Sequence, residues 1–207
     1  MRAVPRRRTT LLACAVALSA AAGCSSDPEP EPPPAAPIIT TSGPTTPTED
    51  WPVRALGEPL PEAKAAQVDR EDPEAVAVEA LRIIYTRDTT REESSGQSFA
   101  RAADLMTGKL RDELVIGATS ARPSLQWSQW VAAEAAIAAE AEVTPEEHPA
   151  DEPDLWRRVV EVREYVTAAD GTRMGAFRSV HYADVRKEDR GWAVDAIQFG
   201  ERQPADR

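Results

Sequence analysis

His181 is the residue of this chain best placed for proton transfer, standing in an alternating apolar segment with Asp195 and Asp104 as the carboxylates able to orient it. An imidazole held by a carboxylate is a general acid–base pair. An isomerase-like or small-ligand site would therefore be built on His181 and Asp195. The alternative is a histidine satisfied within or at the rim of the core, with Asp195 at a strand edge, since buried ionisable groups are often only structural. His148, between Glu147 and Pro149, belongs to a solvated loop. Two distant histidines, with acids scattered as Glu146-Glu147 and Asp151-Glu152, give no ligand spacing of the zinc or EF-hand kind, and no metal site is expected. A Gly-rich phosphate loop and a Gly-x-Ser-x-Gly nucleophile turn are both absent. The expectation is a protein without cofactor that is not an enzyme.

The second reactive position is Cys24. Arg6-Arg7-Arg8, the apolar run from Leu11 to Leu18 and the small residues Ala21-Ala22-Gly23 before Cys24 have the order of a signal peptide, and the apolar run is too short for a permanent span. With Ser25-Ser26 following, the segment resembles a bacterial lipobox, whose cysteine thiol receives diacylglycerol; Ala21 stands where leucine is usual. Residues 1–23 are thus expected to be removed and Cys24 lipidated and palmitate-bearing, which anchors the protein to the outer face of the cell membrane. The alternative is an ordinary secretory peptide cut after Ala20-Ala21-Ala22, leaving a free thiol. The paired arginines leave both the general and the twin-arginine export routes open. Cys14 falls in the discarded piece, so no thiol pair remains to oxidise or to bind metal.

Loss of Arg2, Arg6, Arg7 and Arg8 leaves 20 basic against 35 acidic residues, a net charge of −15. Such a surface repels nucleic acid and anionic headgroups, so the expected partners are the membrane, through the lipid, and a protein. Residues 24–50 are rich in Pro, Thr and Ser and read as an extended tether at ~3 Å per residue. Residues 51–71 are a lead-in, 72–200 one folded domain and 201–207 a tail.

The elements that must position His181 divide into two halves. Asp72-Pro73-Glu74 has the composition of a helix start, and Val76, Ala77, Ala80, Leu81 and Ile84 recur at helical spacing. Phe99, Ala102, Ala103 and Met106 form a second stripe and Leu110, Leu114 and Val115 a third. Beyond them, Ile137 to Val143, Val160 and Val162, Phe177 to Val185, and Ile197 and Phe199 alternate with a period of two. Asp170-Gly171 predicts a two-residue hairpin pairing Val162 with Ser179 and Val160 with His181; a second turn at Lys187 to Gly191 sets Ala183 opposite Asp195. The prediction is α+β: N-terminal helices packed on a curved antiparallel sheet of about four strands. The outer face of that sheet would show Glu161, Arg163, Tyr165, Arg178, Tyr182, Asp184 and Trp192.

This order, with Arg101-Ala102-Ala103-Asp104-Leu105-Met106-Thr107 between the second and third helices, the Trp127 to Trp130 segment and the closing Gly191-Trp192-Ala193-Val194-Asp195, resembles the nuclear transport factor 2-like, or cystatin-like, cone fold. More narrowly it is similar to exported actinobacterial assembly proteins related to the periplasmic part of the VirB-type secretion factor and to Mce-associated proteins. The resemblance implies a protein-interaction role in a conjugation- or secretion-like envelope apparatus.

Aromatic residues supply candidate contacts. If Leu125 to Trp130 is extended, Trp127 and Trp130 cannot both face one small core, so one ring is expected in solvent. With Tyr165, Arg178, Tyr182 and Trp192, an exposed Trp127 would make a partner-binding patch. The alternative is that these rings plug the end of the cone.

Overall fold

The computed structural model describes residues 51–62, 67–120 and 123–205; the signal peptide, Cys24 and tether expected over 1–50 lie outside the described residues. The fold is α+β. Helix α1 (Pro73–Tyr85) starts where Asp72 Oδ1 accepts the Glu74 amide at 2.9 Å, with Pro73 in the first turn, Glu74 near the positive end of the dipole and Arg82 near the negative end. It stops at Thr86, whose backbone is extended. Val76, Leu81, Ile83 and Ile84 are wholly buried, and each contributes about 2 kcal/mol by leaving water.

Three further helices follow: α2 (Gln97–Ala102), continued by a 3-10 turn, α3 (Gly108–Ser120) and α4 (Leu125–Ala132). The fourth corrects the extended reading of the tryptophan segment. Ser124 Oγ accepts the Trp127 amide at 3.1 Å and caps the helix, so Trp127 and Trp130 come one turn apart, edge to face with centroids 6.3 Å apart. A helix can send i and i+3 inward together where a strand cannot. Both rings are buried, and they pack with Ala135, Ile137, Val166 and Phe177 as a second, smaller core. Glu134, with φ of 48°, takes the left-handed position that ends α4, while the Ala135 amide reaches back to the Trp130 carbonyl at 3.0 Å.

The sheet is antiparallel in the order β1 (Arg87–Asp88), β2 (Ala136–Val143), β3 (Leu155–Thr167), β4 (Arg173–Glu188), β5 (Gly191–Gln198), and β6 (Gln203–Pro204) adds to β4 beyond the end of β5. Four long strands match the expected number, with the two-residue β1 and β6 in addition. The predicted register of β3 on β4 is the one observed, Val162 opposite Ser179 and Val160 opposite His181. The connection itself is a three-residue loop. The Gly171 amide donates to the Ala168 carbonyl, the Ala168 amide to the Thr172 carbonyl, and Gly171 has φ of 84°. A register shift at Val166/Thr167 absorbs the extra residue.

The β4–β5 register differs from expectation. A bulge at Asp184/Val185 inserts Asp195 between Val194, opposite Val185, and Ala196, opposite Asp184, so that Ala183 faces Ile197 and not Asp195. On the hairpin side of this bulge the alternation is reversed relative to the prediction. Trp192 pairs with Lys187, points inward and is 8 % exposed, so it belongs to the main core and not to the outer face.

Residues read as lead-in and tail pack on the same body. Trp51 Nε1 donates to Thr167 Oγ1 at 3.3 Å and its ring meets Tyr165 edge to face. Arg54 pairs with the buried Asp88 at 3.3 Å, and Arg101 donates to the Pro61 carbonyl at 2.7 Å. Arg202 and β6 close the other side.

Candidate functional site

His181 lies on the inner face of β4, wholly buried. The Gly200 amide donates to Nδ1 at 3.3 Å, so the neutral ring carries its proton on Nε2 and donates it to Ser179 Oγ at 2.8 Å. The Tyr85 ring is 5.0 Å away and Phe199 5.8 Å. Burial first, and then the charge of Arg202, push its pKa down to about 4. Burial also raises the Tyr85 phenol to about 12.

Neither predicted carboxylate reaches this ring. Asp195 stands at the bulge, where Oδ1 accepts from Thr107 Oγ1 at 3.1 Å and Oδ2 from Arg186 Nε at 3.3 Å. Asp104 is exposed on the 3-10 turn, and its carbonyl accepts from Arg70. The two-residue displacement of β5 carries Asp195 toward Val185 and brings Phe199 and Gly200 to His181 in its place.

A carboxylate that does lie on the inner face of the sheet is Glu164 on β3, 1 % exposed. Arg202 Nη2 donates to Oε1 at 2.7 Å and its Nε is 2.6 Å from Oε2, while Arg87 Nη1 donates to Oε1 at 3.4 Å. Arg202 also donates to Gln126 Oε1 at 2.7 Å and lies over the Trp130 and Phe177 rings. Arg87 donates to the Ile84 carbonyl at 3.1 Å, satisfying the end of α1, and lies over Tyr85. Burial pushes the Glu164 carboxyl up, with both guanidiniums drawing it the other way. A charge on an otherwise apolar alternating stripe, Val160, Val162, Glu164, Val166, was the sequence signal for this cluster. The His181 ring itself is flanked by Tyr85, Phe199 and Gly200.

The outer face carries a ladder of charge. Arg163 and Arg178 are cross-strand partners, and Glu161 accepts from Arg163 Nε at 2.8 Å and Arg178 Nε at 2.6 Å; Glu142 lies 3.5 Å from Arg163. Burial alone would raise the Glu161 carboxyl, but Arg178 and Arg163 hold it below the usual range. Tyr165 donates to Glu140 at 3.0 Å, and Tyr182 is 53 % exposed. Of the five aromatic and basic residues read as one patch, Tyr165, Arg178 and Tyr182 share this face; Trp127 and Trp192 are buried in the two cores. Among the described residues no cluster of three metal-ligating side chains occurs, and no helix is long and apolar enough to cross a membrane.

The arrangement defines an α+β domain whose antiparallel sheet holds helices on one face and a charged, aromatic-dotted surface on the other. No protein-family model matches the chain, and no curated protein matches it. Two solved structures are similar in chain arrangement. An IcmL-like type IV secretion system protein from Legionella pneumophila aligns over 65 % of this chain and 91 % of its own at 15 % identity, with a TM-score of 0.41. A periplasmic fragment of TraM aligns over 61 % and 93 % at 11 % identity, with a TM-score of 0.40.

Proposed function

We propose that this chain is a non-enzymatic exported protein, lipid-anchored at Cys24, that works as a protein-binding accessory or assembly subunit of a conjugation- or secretion-like envelope apparatus. The observation that carries the reading is the burial of His181, which is wholly enclosed with Tyr85, Phe199 and the Gly200 amide packed against its ring where a small ligand would have to enter. A group that works on a substrate must be reached by it. The remaining chemistry is on the outside, in Tyr165, Arg178 and Tyr182 beside the charge ladder. The apparatus is the class named by the sequence resemblance, and the lipid anchor is read from the lipobox-like residues before Cys24.

The test is crosslinking and affinity capture of the membrane-bound protein beside a Cys24→Ala form, with bound proteins identified by mass spectrometry. Recovery of the same membrane-machinery subunits with the anchored form only is the expected result. Release of both forms into the medium without partners overturns the reading.

A further inference from the structure

Among the described residues, strand β2 is paired along its length with β3 on one edge and with β1 over two residues only on the other. Toward β3, Thr144 donates its amide to the Val159 carbonyl at 2.9 Å, so on that side the even-numbered residues of β2 make the bonded pairs. Toward β1, the Thr89 amide donates to the Ala135 carbonyl at 3.1 Å, and Ile137 faces Arg87 next along, so the odd-numbered residues bond on that side. The pairing ends there because the chain before Arg87 is already α1. Ala139, Ala141 and Val143 therefore hold their amides and carbonyls toward an edge on which, among the described residues, no strand lies. All three point inward yet stay only partly buried, whereas Ile137, beside β1, is fully buried.

The surroundings state which chemistry this edge accepts. Glu140 and Glu142 are exposed on the outer side of the same strand, where one oxygen of Glu140 accepts from Tyr165 and one oxygen of Glu142 lies 3.5 Å from Arg163. Past Val143 the edge runs into a depression of about 360 Å³ whose lining includes Glu74, Thr144, Glu146 and His148. Arg158 lines it too, but its guanidinium is bound by both oxygens of Asp151 at 2.7 and 2.9 Å. A second copy of the chain is a poor occupant: antiparallel pairing of two β2 edges about Ala141 sets Glu140 opposite Glu142 twice, and like charges directly opposed are destabilising.

The geometry points to the free edge of β2, residues Ala139 to Val143, as the docking site for an extended protein segment with alternating Lys or Arg side chains, which adds to the sheet as a further strand. Its backbone pairs with Ala139, Ala141 and Val143, and its basic side chains lie beside Glu140, Glu142 and the Glu74–Glu146 depression. This rests on the protein-binding reading above and names the chemistry of the partner.

The probe is a synthetic peptide of alternating lysine and valine, seven residues long and capped at both ends, titrated into the full chain. Expected are at least tenfold slower hydrogen exchange at Ala139, Ala141 and Val143, a loss of at least tenfold in affinity when alternate peptide amides are N-methylated, and no protection by the glutamate-for-lysine peptide. Ala141→Pro, which removes one edge donor at a position where an edge strand tolerates proline, loses at least tenfold in affinity while keeping the circular dichroism of the parent. Equal binding of the methylated peptide, protection elsewhere or no protection overturns the proposal. In the capture experiment, unchanged partner recovery by Ala141→Pro overturns the edge and leaves the accessory role standing. Failure of every form to recover a partner overturns the accessory role instead.

Discussion

Arg163 and Arg178 stand directly opposite each other on β3 and β4, a pair of like charges that would repel were Glu161 not placed diagonally between them with one oxygen on each. Glu161→Gln keeps the shape and removes the charge that joins them. It is expected to cost about 1–2 kcal/mol, and adding Arg178→Gln should recover part of that by removing the repulsion. Urea denaturation of the two variants and the parent decides it; a single variant as stable as the parent means that solvent screens the pair completely.

Arg202→Met removes the stronger of the two cations on Glu164 and leaves Arg87 at 3.4 Å as the remaining partner. An uncompensated buried charge costs about 3 kcal/mol, and Glu164→Gln in the same chain should restore most of it. Amide exchange reads the accompanying release: Gln203, paired with Arg178 through β6, should lose protection in Arg202→Met before β3 and β4 do. Simultaneous loss across the sheet would count against a locally held segment.

His181 sets an acid limit on stability. Its pKa is about 4 in the fold against an ordinary 6.5, so between these values the unfolded chain binds the extra proton and the folded one does not. The contribution is complete above pH 6.5 and is lost as pH falls through the window to 4, for a total of about 3 kcal/mol. His181→Gln is expected to start less stable at pH 7.5 and to show a shallower decline between pH 6.5 and 4.5. Parallel stability curves for parent and variant would show that the ring does not titrate in this window.

Glu134 holds a left-handed backbone conformation without being glycine. Glu134→Gly should raise stability by about 0.5–1 kcal/mol, since the side chain's steric cost at the end of α4 disappears. Thermal melting of the two forms is sufficient; a lower midpoint would mean that the Glu134 side chain contributes more than its backbone costs.

The parts of this fold readable in sequence are those specified locally. Asp72-Pro73-Glu74 announces α1, and the alternation on both sides of Asp170-Gly171 sets the β3–β4 register even though the loop differs, because the face that must be buried decides the pairing. The tight Glu188–Gly191 turn shifts β5 by one residue, which turns Trp192 inward, and the bulge at Asp195, which has no local signature, adds the second residue that parts Asp195 from His181. Helix α4 was legible in Ser124 and the i, i+3 spacing of the tryptophans, but a short apolar segment satisfies both periods. The meeting of Arg87, Glu164 and Arg202, and of Arg54 with Asp88, depends on contacts between residues distant in the chain.

Trp51 sits against Thr167, Tyr165 and Arg173 at the end of the long hairpin, and Arg54 ties the same segment to Asp88 on the two-residue β1. The entering segment is thus held side chain by side chain, by one indole, one ion pair and the Arg91 and Arg101 bonds to the Glu58 and Pro61 carbonyls, and by none of the ladder bonds that join β3 to β4.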